Sequence, residues 1–545
     1  MIPENDERMN TAAAGSTKGF WRSNIESFTV AVVMALMIKQ FAFEAFEVPT
    51  ESMEPTIIGR SPGGDRLIVD KFDGLARDPE RFEVRVFMYP LSQRVNYVKR
   101  LIGVGPETVK LAHGDIFTAT SPAGPFHVAR KSEGIQDALF RANPAIEREG
   151  WTDFGGGRIW NTWQRPAAGA SLTAAGTLRL EAGPVELLVG LSKGVTPERH
   201  DVAAATRKGR GDADVRLPQG DLRFHVDVTP GAGSGSIILR LTDGTQVTTP
   251  IRLDLAVEGS GATSRLMHGS RVITSSTLAA TKLSAGKRQR VTLENVDDRI
   301  RVLLDDEELV RDEYEQSVIQ LAGGESLVAF GLTKGSAEFS ELGLERDIYT
   351  TLFEGSPDTY EIPAGHYLLL GDNSANSLDA RAFRMVGLRL RATGEVLLGD
   401  MEAVSDDFSA PRQDNNPWLE EGAGTGKDAP HHFVDIAGNH RRLESASYDI
   451  LDLNHFENAG GVGLMALHGT SIPTPNDRQI AHRAMDTSTL SMLSAHSPHA
   501  FRAASRLMHY VPRKFMLGRA GFTFLPAGEN LLKALFSFGD FRIIR

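Results

Sequence analysis

The 545-residue chain contains no cysteine, which excludes disulfide staples, thiolate nucleophiles and cysteine-ligated zinc or iron–sulfur centres. A basic surplus is lacking too: 59 Lys+Arg stand against 70 Asp+Glu, a net charge of −11, which argues against a nucleic-acid partner. Apolar sequence at the N-terminus is limited to Phe28–Ile38, eleven residues without a charge. Metal-ligand spacing is missing as well. Nine of the fifteen histidines fall between His431 and His509, but no His-Glu-x-x-His helix or comparable pattern joins them, so they read as scattered surface side chains, and no metal or cofactor is expected.

What the chain does have is the balance of folded protein, 41% hydrophobic and 24% charged, at a length that about 100–200 residues per domain divides into three or so units. Residues 1–20 are polar and read as a cytoplasmic tail. The window Ile25–Phe46, within an anchor placed at 21–47, is long enough for about 30 Å of hydrocarbon if Glu26, Lys39 and Glu44 lie towards its ends. A buried soluble helix and a cleavable export signal are the alternatives. The segment Lys39–Glu44 offers no pair of small residues for cleavage, and Lys18 and Arg22 before the span against Glu44, Glu47, Glu51 and Glu54 after it put the N-terminus in the cytoplasm.

Short β-branched or aromatic runs at 65–72, 82–89 and 95–102 predict strands; in the third, period two puts Tyr97, Lys99 and Leu101 on one face, so a lysine shares a buried face. From about 150 to 347, Leu222–Val228, Ser236–Leu241, Gln289–Leu293, Arg299–Leu304 and Ser326–Leu332 alternate between turn residues and predict an inserted β-sandwich. The run Asn295–Asp305 resembles a concanavalin-like or laminin-G-like jelly roll with an acidic hairpin. Strand texture returns at Tyr360–Leu370 and at Tyr510–Pro526, and 400–505 is polar and irregular. The apolar tail Leu531–Arg545 reads as a last strand or a lipid contact. The fold expected is mostly β.

The candidate chemistry lies at Val48–Thr56, where Ser52 stands between Pro49 and Pro55, residues that restrict the backbone around it. A loop serine needs a partner to become a nucleophile. Thr50–Thr56 behind an apolar span, then Tyr97-Val98-Lys99-Arg100, then Gly371–Arg381 resemble, in order, the boxes of type I signal peptidase. The resemblance covers roughly 20–118, 360–383 and 508–526, where Tyr510-Val511-Pro512 and Gly518-Arg519-Ala520 match the family's closing segment. On that alignment, catalytic parts at 48–120 and 358–384 and closing strands at 508–545 are separated by the sandwich and by a polar insertion at 385–507. A competing alignment runs on from Arg381 through Gly387 to Val396 and makes the last 150 residues an extension. The chain departs from the family at Gly105-Pro106, where Pro-Gly is usual, at Phe82-Glu83, where Gly-Asp is usual, and at Ala380, where serine is usual.

The resemblance implies a membrane-bound serine endopeptidase of the bacterial cytoplasmic membrane, its catalytic part facing outward, that cuts signal peptides from exported preproteins after small residues. Ser52 would be the nucleophile and Lys99 its base; burial can depress a lysine by up to about 3–5 pH units. The Ser52 N–H and Thr50 hydroxyl would hold the oxyanion, Ser377 would orient the lysine, and Tyr97 would line the pocket. Asp372 with Arg100, and Asp379 with Arg381, would brace the site. Lipid is an implied partner, and an envelope component or carbohydrate suits the sandwich, for which a structural spacer is the alternative. A decayed, lectin-like membrane receptor is the competing function; a self-cleaving repressor would need a DNA-binding domain at the N-terminus, where the expected membrane span stands.

Overall fold

A computed structural model describes residues 17–37, 42–59, 63–142, 163–164, 166, 168–173, 177–191, 220–245, 250–315, 322–352, 356–400, 431–444, 447–451, 453, 506–525 and 542–544. The cytoplasmic tail before residue 17, most of the histidine-bearing stretch and most of the apolar tail lie outside these residues.

The first element is helix α1, Thr17–Met37. At 1.5 Å per residue its 21 residues span about 31 Å, but its first ten include Lys18, Arg22 and Glu26, and among the described residues no helix is long and apolar enough to cross a membrane. The end of the expected window is not helical. Phe43–Glu47 is strand β1, because Phe43-Glu44-Ala45-Phe46-Glu47 alternates with period two and pairs antiparallel with β2, Arg66–Asp70.

Strands β3 (Val84–Met88) and β4 (Asn96–Val104) complete the runs read from the sequence. Together with segments far along the chain they build one antiparallel sheet, ordered β1, β2, Met516–Leu525, β3, β4, His366–Leu370, Val511–Pro512, with Arg542–Ile543 paired to Met516–Leu525. The strand 516–525 is thus inserted between β2 and β3, neighbours in sequence. Strands β5 (Glu107–Ala112) and β6 (Asp115–Ala119) form a second sheet with His127–Val128 and Thr359–Ile362. Phe87, Leu101, Val109, Leu369 and Phe383 close the core between these parts.

The sandwich is two antiparallel sheets of eight and six strands. Gln289–Val296 and Arg299–Leu304 meet at Asp297-Asp298, with φ of 50° and 55°, the left-handed pair that a two-residue hairpin requires. Phe224 and Phe339 of one sheet enclose Phe330 of the other, and Trp163 packs edge-on to Phe330 at 5.2 Å. Beyond residue 384 the sequence looked polar, yet Arg384–Leu390, Val396–Asp400, Tyr448–Leu451 and Arg506–Leu507 form a small sheet, and His431–Val434 pairs with His440–Leu443. Its apolar residues, among them Val386, Leu388, Leu397, Tyr448 and Ile450, are few and widely spaced in sequence, so only pairing gathers them into a core.

Candidate active site

Extended backbone at Thr50 (φ −125°, ψ 151°) gives way to a single 3₁₀ turn, Glu51–Met53, and extended backbone resumes at Glu54, as the following proline favours. The turn is fixed from beneath. Met53 and Ile57 are fully buried with Leu67 and Val84, and the Ile58 N–H donates to Asp65 Oδ2 at 2.9 Å. Ser52 therefore sits on a clamped turn with its side chain inward, 7% exposed.

Lys99 lies on β4, opposite Arg85 of β3, and is 4% exposed. Its Nζ donates to Ser52 Oγ at 2.6 Å. Burial disfavours the ammonium and depresses the lysine from 10.5 to about 8; Asp379 and Asp372 pull the other way, and Arg381 reinforces the depression. Near pH 8, then, a neutral amine able to take a proton stands in contact with a hydroxyl. Thr50 Oγ1 lies 3.3 Å from Ser52 Oγ on the outer side.

The loop after His366–Leu370 docks onto the nucleophile turn. The Asn373 N–H donates to the Ser52 carbonyl at 3.2 Å and Asn373 Nδ2 to the Glu51 carbonyl at 3.0 Å. Gly371 permits this approach: a Cβ there would lie 2.1 Å from Ser377 Oγ and 2.4 Å from the Ser52 carbonyl oxygen. Gly59 plays a similar part on the other side, where a Cβ would stand 1.6 Å from the Thr50 carbonyl oxygen. Ser377 is buried beside the dyad, and its hydroxyl has no hydrogen-bond partner among the described residues. Tyr97 stacks on Tyr89 at 4.4 Å, and its ring centre is 5.4 Å from Lys99 Nζ, so it walls the lysine.

Two ion pairs lie under the dyad. Arg100 grips Asp372 with both ends of its guanidinium, at 2.8 and 2.7 Å, and also donates to the Phe82 carbonyl at 2.6 Å. Arg381 grips Asp379 at 2.9 and 2.6 Å, and the Gly371 N–H donates to Asp379 Oδ2 at 2.9 Å. Burial alone would raise Asp379, but the Arg381 pair and the Gly371 N–H hold its carboxyl below the usual range. All four side chains are at least 95% buried.

Phe82 takes φ of 71° where glycine would be at ease; its N–H donates to the Leu101 carbonyl at 2.6 Å, and the ring is 97% buried, which compensates the backbone cost.

For a metal, the described residues bring together one set of carboxylates, Asp115, Asp221 and Asp297, with oxygens within 4.8 Å of one another. The Lys131 ammonium pairs with Asp297 of this set at 2.5 Å and with Asp347 at 2.7 Å. Burial and the neighbouring Asp297 push Asp115 up to about 7.

Asn373 and Ser374 lie inside the Gly371–Arg381 box but carry no role of their own in the sequence, and Gly59 lies outside every box. The contacts of Gly59, Gly371 and Asn373 are not legible in the sequence, because they are made with backbone distant along the chain.

Residues 21–139, which include Ser52 and Lys99 but not the 371–381 loop, match the family model described as signal peptidase, peptidase S26. Signal peptidase I of Pseudomonas aeruginosa is 33% identical over 97 residues, 16% of this chain and 33% of that protein. A probable signal peptidase I-2 of Synechocystis is 32% identical over 102 residues (18% and 45%), and signal peptidase I P of Bacillus subtilis subsp. natto 30% over 93 (17% and 48%). The chain thus spans less than half the length of these relatives. Among solved structures, the carbohydrate binding module CBM66 from Bacillus subtilis is 13% identical with a TM-score of 0.23, covering 34% of this chain and 96% of the module. The Emp46p carbohydrate recognition domain is 8% identical with a TM-score of 0.26, covering 37% and 97%.

Proposed function

From the likeness of residues 21–139 to type I signal peptidases, we propose that this chain is a serine endopeptidase that removes signal peptides from exported preproteins. The observation that carries the reading is the 2.6 Å contact between Ser52 Oγ and a buried lysine depressed to about 8.

In the forward step neutral Lys99 accepts the Ser52 proton as Oγ attacks the scissile carbonyl, then returns it to the leaving amine; water, deprotonated by Lys99, releases the acyl group. The Thr50 hydroxyl, 3.3 Å from Ser52 Oγ, and the Ser52 N–H are the oxyanion donors of this reading. Ser377, whose hydroxyl at the dyad has no partner among the described residues, is suited to receive the lysine once Ser52 is acylated. Substrate lies extended against a strand edge, with main-chain hydrogen bonds for affinity and shallow pockets that admit only small side chains. The chain is held at the bacterial cytoplasmic membrane through α1, whose exposed Phe28, Val30, Val32, Val33, Met34 and Met37 support contact with lipid, with the catalytic part on the outer face. Substrate and enzyme in one bilayer meet at raised effective concentration.

The test is cleavage of a model preprotein in detergent by the full chain, Ser52→Ala and Lys99→Met. Cleavage after a small residue by wild type alone, rising with pH through about 8, is expected. Cutting by either variant at the wild-type rate refutes the dyad, and an inert wild type refutes the peptidase.

A further inference from the structure

The linker that returns from the sandwich ends inside the catalytic loop. After the last sandwich strand, Gly335–Arg346, the Thr350 N–H donates to the Gly114 carbonyl at 3.1 Å, which ties the linker to the β5–β6 hairpin. The next residue, Thr351, turns to the opposite side. Its N–H donates to Ser374 Oγ at 2.7 Å, its hydroxyl meets that oxygen at 3.0 Å, and its carbonyl accepts from Arg381 at 2.5 Å.

Ser374, 1% exposed, is the hub. A hydroxyl offers one donor and two acceptor sites. Here both acceptor sites are taken, by the Thr351 N–H and by Arg381 NH1 at 2.7 Å, which leaves the proton for Thr351 Oγ1. The Ser374 carbonyl accepts from Arg381 NH2 at 2.8 Å. The Arg381 guanidinium is thus fixed on one side by Asp379 and on the other by Ser374 and Thr351. None of this is required by the dyad, and Thr351 lies outside the segments that resemble the peptidase.

We infer that Ser374 and Thr351 are positioning residues for Lys99: they hold Arg381 against Asp379, so the exit of the inserted sandwich is part of the catalytic support. The inference rests on the peptidase reading for its effect on rate, but its electrostatic core does not. Asp379 and Asp372, the latter paired with Arg100, favour the charged lysine, and Arg381 opposes it. If Arg381 loses its anchors, the Asp379 charge is less compensated and Lys99 holds its proton more tightly.

The experiment is a titration of Lys99 in the full chain by 13Cε-lysine NMR, with the signal assigned by its loss in Lys99→Met, alongside the pH profile of cleavage. Wild type is compared with Ser374→Ala, Ser374→Thr and Thr351→Val. In Ser374→Ala the Lys99 midpoint is expected to rise by about half a pH unit or more, and the rising limb of kcat/KM with it. At pH 7 a half-unit rise is expected to lower kcat about threefold with KM held within about twofold. Ser374→Thr, which keeps the hydroxyl, restores both, and Thr351→Val moves the midpoint in the same direction by less. Should Ser374→Ala fail to fold, Thr351→Val carries the same readout. A folded variant whose Lys99 midpoint stays at the wild-type value overturns the inference whatever its activity. An inert wild type with a shifted Lys99 midpoint in Ser374→Ala removes the peptidase and leaves the positioning intact.

Discussion

Lys99→Met replaces the buried amine with an apolar side chain of similar length, and its effect on stability depends on pH in a way the site dictates. In the fold the lysine titrates near 8 rather than at its ordinary 10.5. Below pH 8 folded and unfolded chains are both protonated, so the folded state bears the whole cost of a buried ammonium. Between about 8 and 10.5 only the unfolded chain still binds the proton, and stability rises with pH; above 10.5 neither does. The gap between 10.5 and about 8, at ~1.36 kcal/mol per pH unit, is about 3 kcal/mol. The inactive Met variant is therefore expected to gain about 3 kcal/mol over wild type at pH 7, relative to their difference at pH 10.5. Urea unfolding followed by pulse proteolysis, whose fragments separate the dyad-bearing sheet from the sandwich, measures it. A stability difference that stays flat from pH 7 to 10.5 refutes the depressed lysine, and with it the claim that Lys99 is poised as a base.

Other perturbations act on neighbouring parts of the site. Thr50→Ala is expected to lower kcat by about 100- to 1,000-fold while Thr50→Ser keeps most of the rate, read in single-turnover acylation; equal loss in both would make the residue structural. Gly371→Ala places a methyl 2.4 Å from the Ser52 carbonyl, which is backbone and cannot swing away, so acylation should fall roughly 100-fold in a chain that still folds. At the junction with the sandwich, Asp115 is raised to about 7 from 3.8, so the stability it contributes below pH 4 is lost progressively as pH rises to about 7. Asp115→Asn should reduce that slope in thermal unfolding curves measured between pH 4 and 8, the remainder coming from Asp221 and Asp297, which burial also raises.

Where local pattern and final structure agree, the reason is local. Val84–Met88 and Arg299–Leu304 are strands because β-branched side chains suit a pleated, buried surface, and Asp297-Asp298 turns because aspartate tolerates a left-handed backbone. Phe43–Glu47 shows the opposite case. Its alternation is visible, but it lies at the end of an apolar window that favours helix, and only pairing with Arg66–Asp70 makes it a strand. The small sheet around Arg384–Leu390 was missed because its strands come from four places over more than a hundred residues, each too short to declare itself.

Sequence alone determined the inventory: a serine among prolines, a lysine between apolar strand residues, two arginines and two aspartates within short boxes, no thiol, and a long β-rich stretch in the middle. These follow from residue type and spacing, which a chain displays without folding. Only the tertiary structure decided that Lys99 Nζ stands 2.6 Å from Ser52 Oγ across 47 residues of chain, and that Met516–Leu525 closes a sheet begun at Phe43. It also decided that Thr351, at the end of the sandwich's return, takes hold of Arg381. The physical reason is common to all three. A lysine loses its proton only when surrounding chain excludes water, and that surrounding comes from segments hundreds of residues apart, whose proximity is a property of the packed fold.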